Sequence, residues 1–358
     1  MRKKMIPLLC VLLLAGCGTA DRVAENTVAS RETTAIAAEP AVTEENSIEF
    51  FAMDTYMAIR AYGADGELLE SAAALVEGLE AELSATSETG AVRVLNRTGS
   101  AALSEDAAYL LRRALDLCAA TDGALDISIY PVVCAWGFTT DDEDYRVPER
   151  GEIEALLEKV DYTRVSLDGG EVSLPSGTEI DLGAVTKGYT GDRLSTLLRS
   201  GGVESALLDL GGNIQTVGTK PDGSDWRVAI QNPEGDGVLG VIPVSDKAVV
   251  TSGGYERYFI DDEGRLWWHI MDPATGYPAR NGLISVTVVG NEGLYCDALS
   301  TALFIMGAEK AITFWREYRD FEMALVTDGG ELLLTPGLAE IFQPAGGLSY
   351  TLGVIANA

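Results

Sequence analysis

Hydrophobic and polar positions alternate through SIEFFAMDTYMAIRAYG, residues 47–63, the period of a half-buried strand. GELLESAAALVEGLEAELSA and SEDAAYLLRRALDLCAATDG then repeat their apolar residues at helical spacing, with Ser104 as a capping residue and Gly123 as a stop. An irregular SIYPVVCAWGF precedes a short helix near 149–159 and a hairpin-like RVSLDGGEVSL. TEIDLGAVTKGYTGDRLSTLLRSGG reads as a strand, a Gly-containing turn and a helix from about Val185 to Arg199. ESALLDLGGNIQTVG predicts two strands broken by Gly211 and Gly212, and WRVAIQNP, GVIPVSDKAVVTSGGYERYFID and LWWHIMDP predict more. The closing part predicts a strand in LISVTVVG, an amphipathic helix from Asp297, another near 308–318, and strands in FEMALVTD and ELLLT. The expected fold class is α+β, a mostly antiparallel sheet with helices packed against it.

The N-terminus breaks the pattern. MRKKMIPLLCVLLLAGC has a basic start at Arg2, Lys3 and Lys4, a short apolar run interrupted by Pro7, and small residues before Cys17, which marks a signal peptide. The run is too short for a comfortable membrane span. Its end, LAGC, resembles the bacterial lipoprotein box, which implies lipidation of Cys17 and an extracytoplasmic, membrane-anchored protein. Residues 18–47 are rich in Ala, Thr, Glu and Ser without an apolar period and read as a flexible tether. A folded body over 48–343 and a C-terminal tail over 344–358 complete the expected organisation.

With 47% apolar residues and 39 glycines spread through turns, that body is expected as one elaborate unit or two tightly joined lobes. Beyond Cys10 and Cys17 only Cys118, Cys134 and Cys296 remain. Their odd number and lack of paired spacing argue against a disulfide framework or a Cys metal site. The net charge is −29, which repels nucleic acid and anionic membrane. A phosphate-bearing ligand would therefore need local neutralisation by a metal, a few basic residues or helix N-termini.

Three stretches and one pair carry candidate chemistry. Asp297 and Thr301, in CDALSTALFIMG, stand one helical turn apart, so their oxygens share a side. Either the Asp favours a helix start and the Thr bonds back to its own helix, or the two are oxygen ligands for a hard cation. In IDLGAVTKGY, Gly183 leaves backbone groups near Ala184 open and Lys187 falls in the first helical turn, a junction suited to phosphate or a metal. Gly211 and Gly212 permit a tight turn or a close backbone approach, but not the Rossmann spacing. His269, in HIMDPATGYP, is the single histidine, which excludes a His-rich zinc site; it either anchors its loop or does chemistry. The motifs GxSxG, HExxH and GxxxxGK[ST] do not occur, so the common hydrolase, zinc-protease and P-loop readings fall away.

Taken in order, AMDTYM, VVCAWGF, IDLGAVTKGYTGDRL, LLDLGGNIQTVG, WRVAIQNP, VTSGGYERYF, HIMDPATGYPA and CDALSTALFIMG resemble the ApbE family of FAD:protein FMN transferases, flavin-trafficking lipoproteins. The resemblance runs from about residue 50 to 307. It implies an ApbE-like fold and FAD as substrate, its pyrophosphate beside Mg²⁺, with FMN passed to a Ser or Thr hydroxyl of an acceptor protein and AMP released. It implies metal ligands at the Ala184 backbone oxygen, Asp297 and Thr301, with Ser300 beside them. Flavin contacts are implied at Met53, Cys134, Ala135, Trp136, Asp181, Lys187 and Met271, and the transfer step at His269. Where relatives carry an aromatic residue, LSATSETG places Thr86, a departure at the isoalloxazine contact. Two rivals share the motifs: a Mg²⁺-dependent FAD pyrophosphatase giving free FMN and AMP, and a non-catalytic lipid-anchored flavin-binding protein.

Overall fold

The computed structural model describes residues 44–139 and 144–357, so the signal peptide, Cys17 and most of the expected tether lie outside the described residues. The hairpin β1 (Glu45–Ala52) and β2 (Thr55–Tyr62) leads to α1 (Gly66–Leu83), α2 (Ala91–Thr98), β3 (Ser100–Ala102), α3 (Glu105–Ala120) and α4 (Tyr130–Ala135). Then come α5 (Arg150–Leu157), β4 (Ser166–Asp168), β5 (Glu171–Ser173) and α6 (Gly183–Ser200). A run of strands follows: β6 (Ser205–Leu210), β7 (Asn213–Val217), β8 (Trp226–Gln231), β9 (Val238–Val244), β10 (Ala248–Gly253), β11 (Tyr258–Ile260), β12 (Leu266–Trp268) and β13 (Leu283–Gly290). The chain closes with α7 (Gly293–Met306), α8 (Ala308–Tyr318), β14 (Glu322–Thr327), β15 (Glu331–Leu334), α9 (Pro336–Ile341), β16 (Gln343–Pro344) and β17 (Thr351–Val354).

Nine strands make the main sheet in the order β1-β2-β6-β7-β10-β13-β14-β15-β17. All neighbours are antiparallel except β15 and β17. The α+β expectation holds. Alternation in β2 turns Met57, Ile59 and Ala61 inward, where they join Leu69, Ala72 and Val76 of α1 and Leu194 and Leu198 of α6 in one core. In α7, Leu299, Leu303 and Phe304 join the core of Val286 and Val288 on β13, while Ala298 and Ala302 join a second core with Leu110 and Ala114 of α3. This helix is therefore buried on all sides rather than amphipathic. Polar groups inside it are costly unless satisfied, which singles out Asp297 and Ser300.

Several expectations need correction. Helix α7 begins at Gly293, four residues before Asp297, because the polar Asn291 and Glu292 end β13 and open the turn. Residues 178–182 form no strand. Asn96 clamps Ile180 instead, its Oδ1 accepting the Ile180 N–H and its Nδ2 donating to the Ile180 oxygen, each at 2.8 Å, so one amide replaces a ladder. A 3-10 turn, Ile127–Ile129, runs into the irregular SIYPVVCAWGF, which contains α4. At the N-terminal side β1 already starts at Glu45, inside the expected tether, since β2 supplies a partner that composition does not reveal. At the other end, the expected tail carries β17, paired with β15, and buries Tyr350 and Ile355. Its four residues are too few for a readable period.

Candidate active site

Helices α6 and α7 cross at glycines. A Cβ on Gly188 would stand 2.2 Å from the Gly293 oxygen, and one on Gly293 would stand 2.4 Å from the Gly188 oxygen, so only hydrogen fits at either position. This contact brings Asp297 against α6, and its Oδ2 accepts the Gly188 N–H at 2.8 Å. Within a regular helix the Gly188 N–H would close on the oxygen of Ala184, four residues earlier. Asp297 thus takes a main-chain N–H of α6 one turn after Ala184. Asp297 Oδ1 has no hydrogen-bond partner among the described residues.

The hydroxyls arrive from two elements. Ser300 Oγ donates to the main-chain oxygen of Asp297 at 2.8 Å and lies 2.8 Å from Ser252 Oγ on β10, which is itself 3.3 Å from Thr301 Oγ1. Thus Ser252, Ser300 and Thr301 share one hydroxyl cluster, and Ser300 ties it to the main chain of Asp297. Asp297 is not a helix-start residue: it stands in the second turn of α7, and the first N–H groups are served by Asp192. It is Ser300 that bonds back to the helix.

Burial shapes the charged groups of this region. Burial pushes the Asp297 carboxyl up to about 6, against the pull of Lys187 and the Gly188 N–H, with Asp192 adding to the rise. Glu256 is pushed up to about 7 by the same loss of water, opposed by Lys187 and aided by Asp297, although its side chain reaches solvent. His269, half-buried, is lowered to about 4 by burial, with the charges of Arg257 and Lys187 adding to the shift. Its Nδ1 faces the Arg257 oxygen at 3.2 Å, and its ring lies edge-on to Phe138 at 6.3 Å. The Arg257 guanidinium donates to the Phe138 oxygen at 3.0 Å and pairs with Asp54 at 3.5 Å.

Asp54 and Met53 form the two-residue tip of the β1–β2 hairpin, both in left-handed conformation with φ of 63° and 48°. Such turns ordinarily use Asn-Gly, so the strain here needs outside support. Glu80 Oε1 accepts the Met53 N–H at 2.8 Å, and Thr190 Oγ1 approaches the Met53 sulfur at 3.8 Å. Thr55 lies where a Cβ on Gly211 would fall, 2.2 Å from its Oγ1, so the double-glycine turn packs directly on the hairpin.

The remaining predicted residues separate into groups. Asp181 lies at the entry to α6, where burial raises its carboxyl and the Leu182 and Gly183 N–H groups pull it back, with Arg257 also facing it. Lys187 stands in the second turn of α6, not the first, because the helix starts at Gly183. Cys134 and Ala135 are half-buried at the end of α4, and Thr139 Oγ1 lies 3.4 Å from the Cys134 sulfur. Trp136 is fully buried; its Nε1 donates to the Gly276 oxygen at 2.9 Å, so the ring anchors the HIMDPATGYP loop. Met271 is buried in the same cluster and bridges to Pro278. Thr86 is exposed, in a turn held by Ser84.

No three His, Cys, Asp or Glu side chains converge among the described residues in a way that would hold a metal. The donor set is one carboxylate, hydroxyls and a main-chain carbonyl, all hard oxygens. That set fits a cation that keeps part of its water shell, as Mg²⁺ does. Sequence reasoning missed Ser252, Glu256 and Arg257, all inside the motif VTSGGYERYF, and Asp192, inside IDLGAVTKGYTGDRL. The order of motifs pointed to those stretches but not to the individual residues.

Together these features define an α+β protein in which the crossing of α6 and α7 and the neighbouring β10 gather buried carboxylate and hydroxyl groups, with His269 just after β12. Residues 53–325 match the model of the ApbE family, and the chain belongs to that family. It is 36% identical over 230 residues to an FAD:protein FMN transferase of Klebsiella pneumoniae, covering 62% of this chain and 69% of the relative. It is 32% identical over 293 residues to one of Treponema pallidum, covering 76% and 80%. Among solved structures, the ApbE protein of Thermotoga maritima superposes with a TM-score of 0.78 at 31% identity, covering 83% of this chain and 99% of the other. The flavin transferase ApbE of Vibrio cholerae gives 0.74 at 26% identity, covering 84% and 99%.

Proposed function

We propose that this protein transfers FMN from FAD to a Ser or Thr hydroxyl of an acceptor protein and releases AMP, in a Mg²⁺-dependent reaction. The observation that supports the reading is the α6–α7 crossing, where the Asp297 carboxylate is bonded to α6 one turn after Ala184 and Thr301 follows Asp297 by one turn of α7. Asp297, Thr301 and the Ala184 carbonyl would hold Mg²⁺, with Ser300 beside them, and its charge would neutralise the diphosphate of FAD in a chain of net charge −29.

The protein's own groups supply the rest. His269 is neutral near pH 7 because its pKa is lowered to about 4, and its Nδ1 is occupied at the Arg257 carbonyl. Nε2 is therefore free to take the proton of the acceptor hydroxyl. The hydroxyl oxygen bonds to the phosphorus on the flavin side, the bridging P–O bond breaks, and AMP leaves with the bridging oxygen. An anionic diphosphate bound near His269 would raise the basicity of the ring and bring it into range as a base. The positive charges of Lys187 and Arg257 both reach His269. Positioning and charge do most of the work, as phosphoryl-type transfers require.

Lipidation of Cys17 and an extracytoplasmic place at a membrane are part of the proposal; they rest on the LAGC stretch, which lies outside the described residues. No helix among the described residues is long and apolar enough to cross a membrane.

Incubation of the purified protein with FAD, Mg²⁺ and an acceptor protein, followed by mass analysis, tests the reading. The expected result is an acceptor heavier by FMN less one water, with one AMP per modification. Free FMN and AMP with an unmodified acceptor would establish a pyrophosphatase instead, and intact FAD would establish a binding protein.

A further inference from the structure

The crossing of α6 and α7 is a closed ring. On α6, Gly188 and Asp192 stand four residues apart; on α7, so do Gly293 and Asp297. Each helix sends its carboxylate to the other's backbone. Asp297 takes the Gly188 N–H, while Asp192 takes the N–H groups of Gly293 and Leu294 at 2.7 and 2.9 Å. Between these bonds the two glycines touch backbone to backbone, with no side chain to cushion a shift. Gln215 Nε2 of β7 donates to Asp192 Oδ1 at 2.9 Å and fixes that carboxylate from the sheet.

Helix α7 has no side-chain cap of its own. Its N-cap residue Glu292 turns away to a two-pronged bond with Arg113, at 2.6 and 2.9 Å. Asp192 therefore does the work of a cap from a neighbouring helix, satisfying two of the four open N–H groups. Such a bond sets more than stability, because it fixes both the rotation and the axial position of α7 at the turn before Asp297. Oxygen ligands tolerate errors of only about 0.2 Å around a small hard cation.

We propose that Asp192 is a positioning residue for the cation site, holding α7 against α6 so that Asp297 and Thr301 present their oxygens beside the Ala184 carbonyl. The inference rests on the Mg²⁺ reading given above. Three donors converge on Asp192, so Asp192→Asn, with one acceptor oxygen and a donor amide, leaves at least one N–H without a partner. Gln215→Met removes only the donor that orients the carboxylate.

Calorimetric titration of the full folded body with MgCl₂ in the presence of FAD, alongside Mg²⁺ titrations of transfer, provides the test. Asp192→Asn should weaken Mg²⁺ binding about tenfold or more and Gln215→Met about threefold to fivefold. Transfer at saturating Mg²⁺ should return to near the wild-type rate. Leu338→Ala, in the separate core under α9, serves as a destabilised control and should bind Mg²⁺ as wild type does. The proposal is overturned if Asp192→Asn, or Gln215→Met should the first variant not fold, binds Mg²⁺ within twofold of wild type. It is also overturned if Leu338→Ala weakens binding as much, since loss of stability alone would then suffice. Absence of Mg²⁺ binding by the wild-type protein would instead remove the reading on which the inference stands.

Discussion

His269 and Arg257 are joined through one oxygen: the main-chain carbonyl of Arg257 accepts the backbone N–H of His269 at 3.1 Å and faces its Nδ1 at 3.2 Å. A carbonyl only accepts, so Nδ1 carries the proton and Nε2 keeps its lone pair. Ring orientation and tautomer are thus set by backbone rather than by a carboxylate. His269→Ala is expected to lower transfer by about 10²-fold or more, the usual contribution of a general base, with FAD affinity within about twofold. Stopped turnover assays and equilibrium flavin titration check this; a variant that loses FAD binding in parallel would make His269 a binding or structural residue.

The same histidine sets a pH signature. Its pKa falls from 6.5 to about 4 on folding, so the unfolded chain binds its proton first as pH drops. Stability is fully present above 6.5, declines between 6.5 and 4, and levels off below. His269→Gln removes this component, so the difference in urea midpoint between wild type and variant should narrow across that window. A difference constant from pH 7 to pH 4 would show that the ring is not held neutral.

Legibility of the sequence followed the range of each interaction. Pairs within one helix were visible: Asp297 and Thr301 stood out by spacing alone, and Ser104 is observed as the cap of α3, accepting the Ala107 N–H. What depends on a distant partner was not visible. Asn96 replaces a strand ladder 84 residues away, and Asp192 caps a helix that begins 101 residues later. Trp136 adds a bond of the same long range, its Nε1 donating to the Gly276 oxygen 140 residues on.

The hairpin tip gives a stability prediction. Asp54 sits at φ 63°, where an L side chain costs of the order of 1 kcal/mol and glycine costs little. Asp54→Gly relieves that strain and loses an exposed ion pair with Arg257 at 3.5 Å, worth between about 0 and 1 kcal/mol. The net change is expected between about 0 and 1 kcal/mol in favour of the variant. Chemical denaturation measures it; a loss above about 1 kcal/mol would mean that the Asp54 carboxylate holds the tip together.

Anchoring can be tested apart from chemistry. Cys17→Ala should leave an unprocessed or freely soluble protein, while a chain beginning near the start of β1 keeps its transfer activity because its hydrogen-bonded sheet starts at Glu45. Detergent phase separation reads the first effect and the acceptor assay the second. Mature wild-type protein partitioning into the aqueous phase would count against lipidation.

The most demanding prediction concerns the two residues one turn apart on α7. Asp297→Asn exchanges an anionic ligand for a neutral amide at a position where burial already leaves the charge poorly solvated, so Mg²⁺ affinity should fall by about tenfold or more. Thr301→Val keeps the β-branched shape and removes one hydroxyl that lies 3.3 Å from Ser252 Oγ, so its loss should be smaller. Neither change opens a cavity, and the Gly188 N–H can still be accepted by the Asn oxygen. Melting temperatures of the metal-free proteins should therefore stay within a few degrees of wild type. Raising Mg²⁺ should recover part of the transfer rate in both variants, because weakened binding yields to mass action. Wild-type transfer that persists in excess chelator, or an Asp297→Asn protein with unaltered Mg²⁺ dependence, would leave the diphosphate to Lys187 and Arg257 alone. In that event Asp297 would be a helix-crossing clamp, and its bond to Gly188 would be its whole purpose.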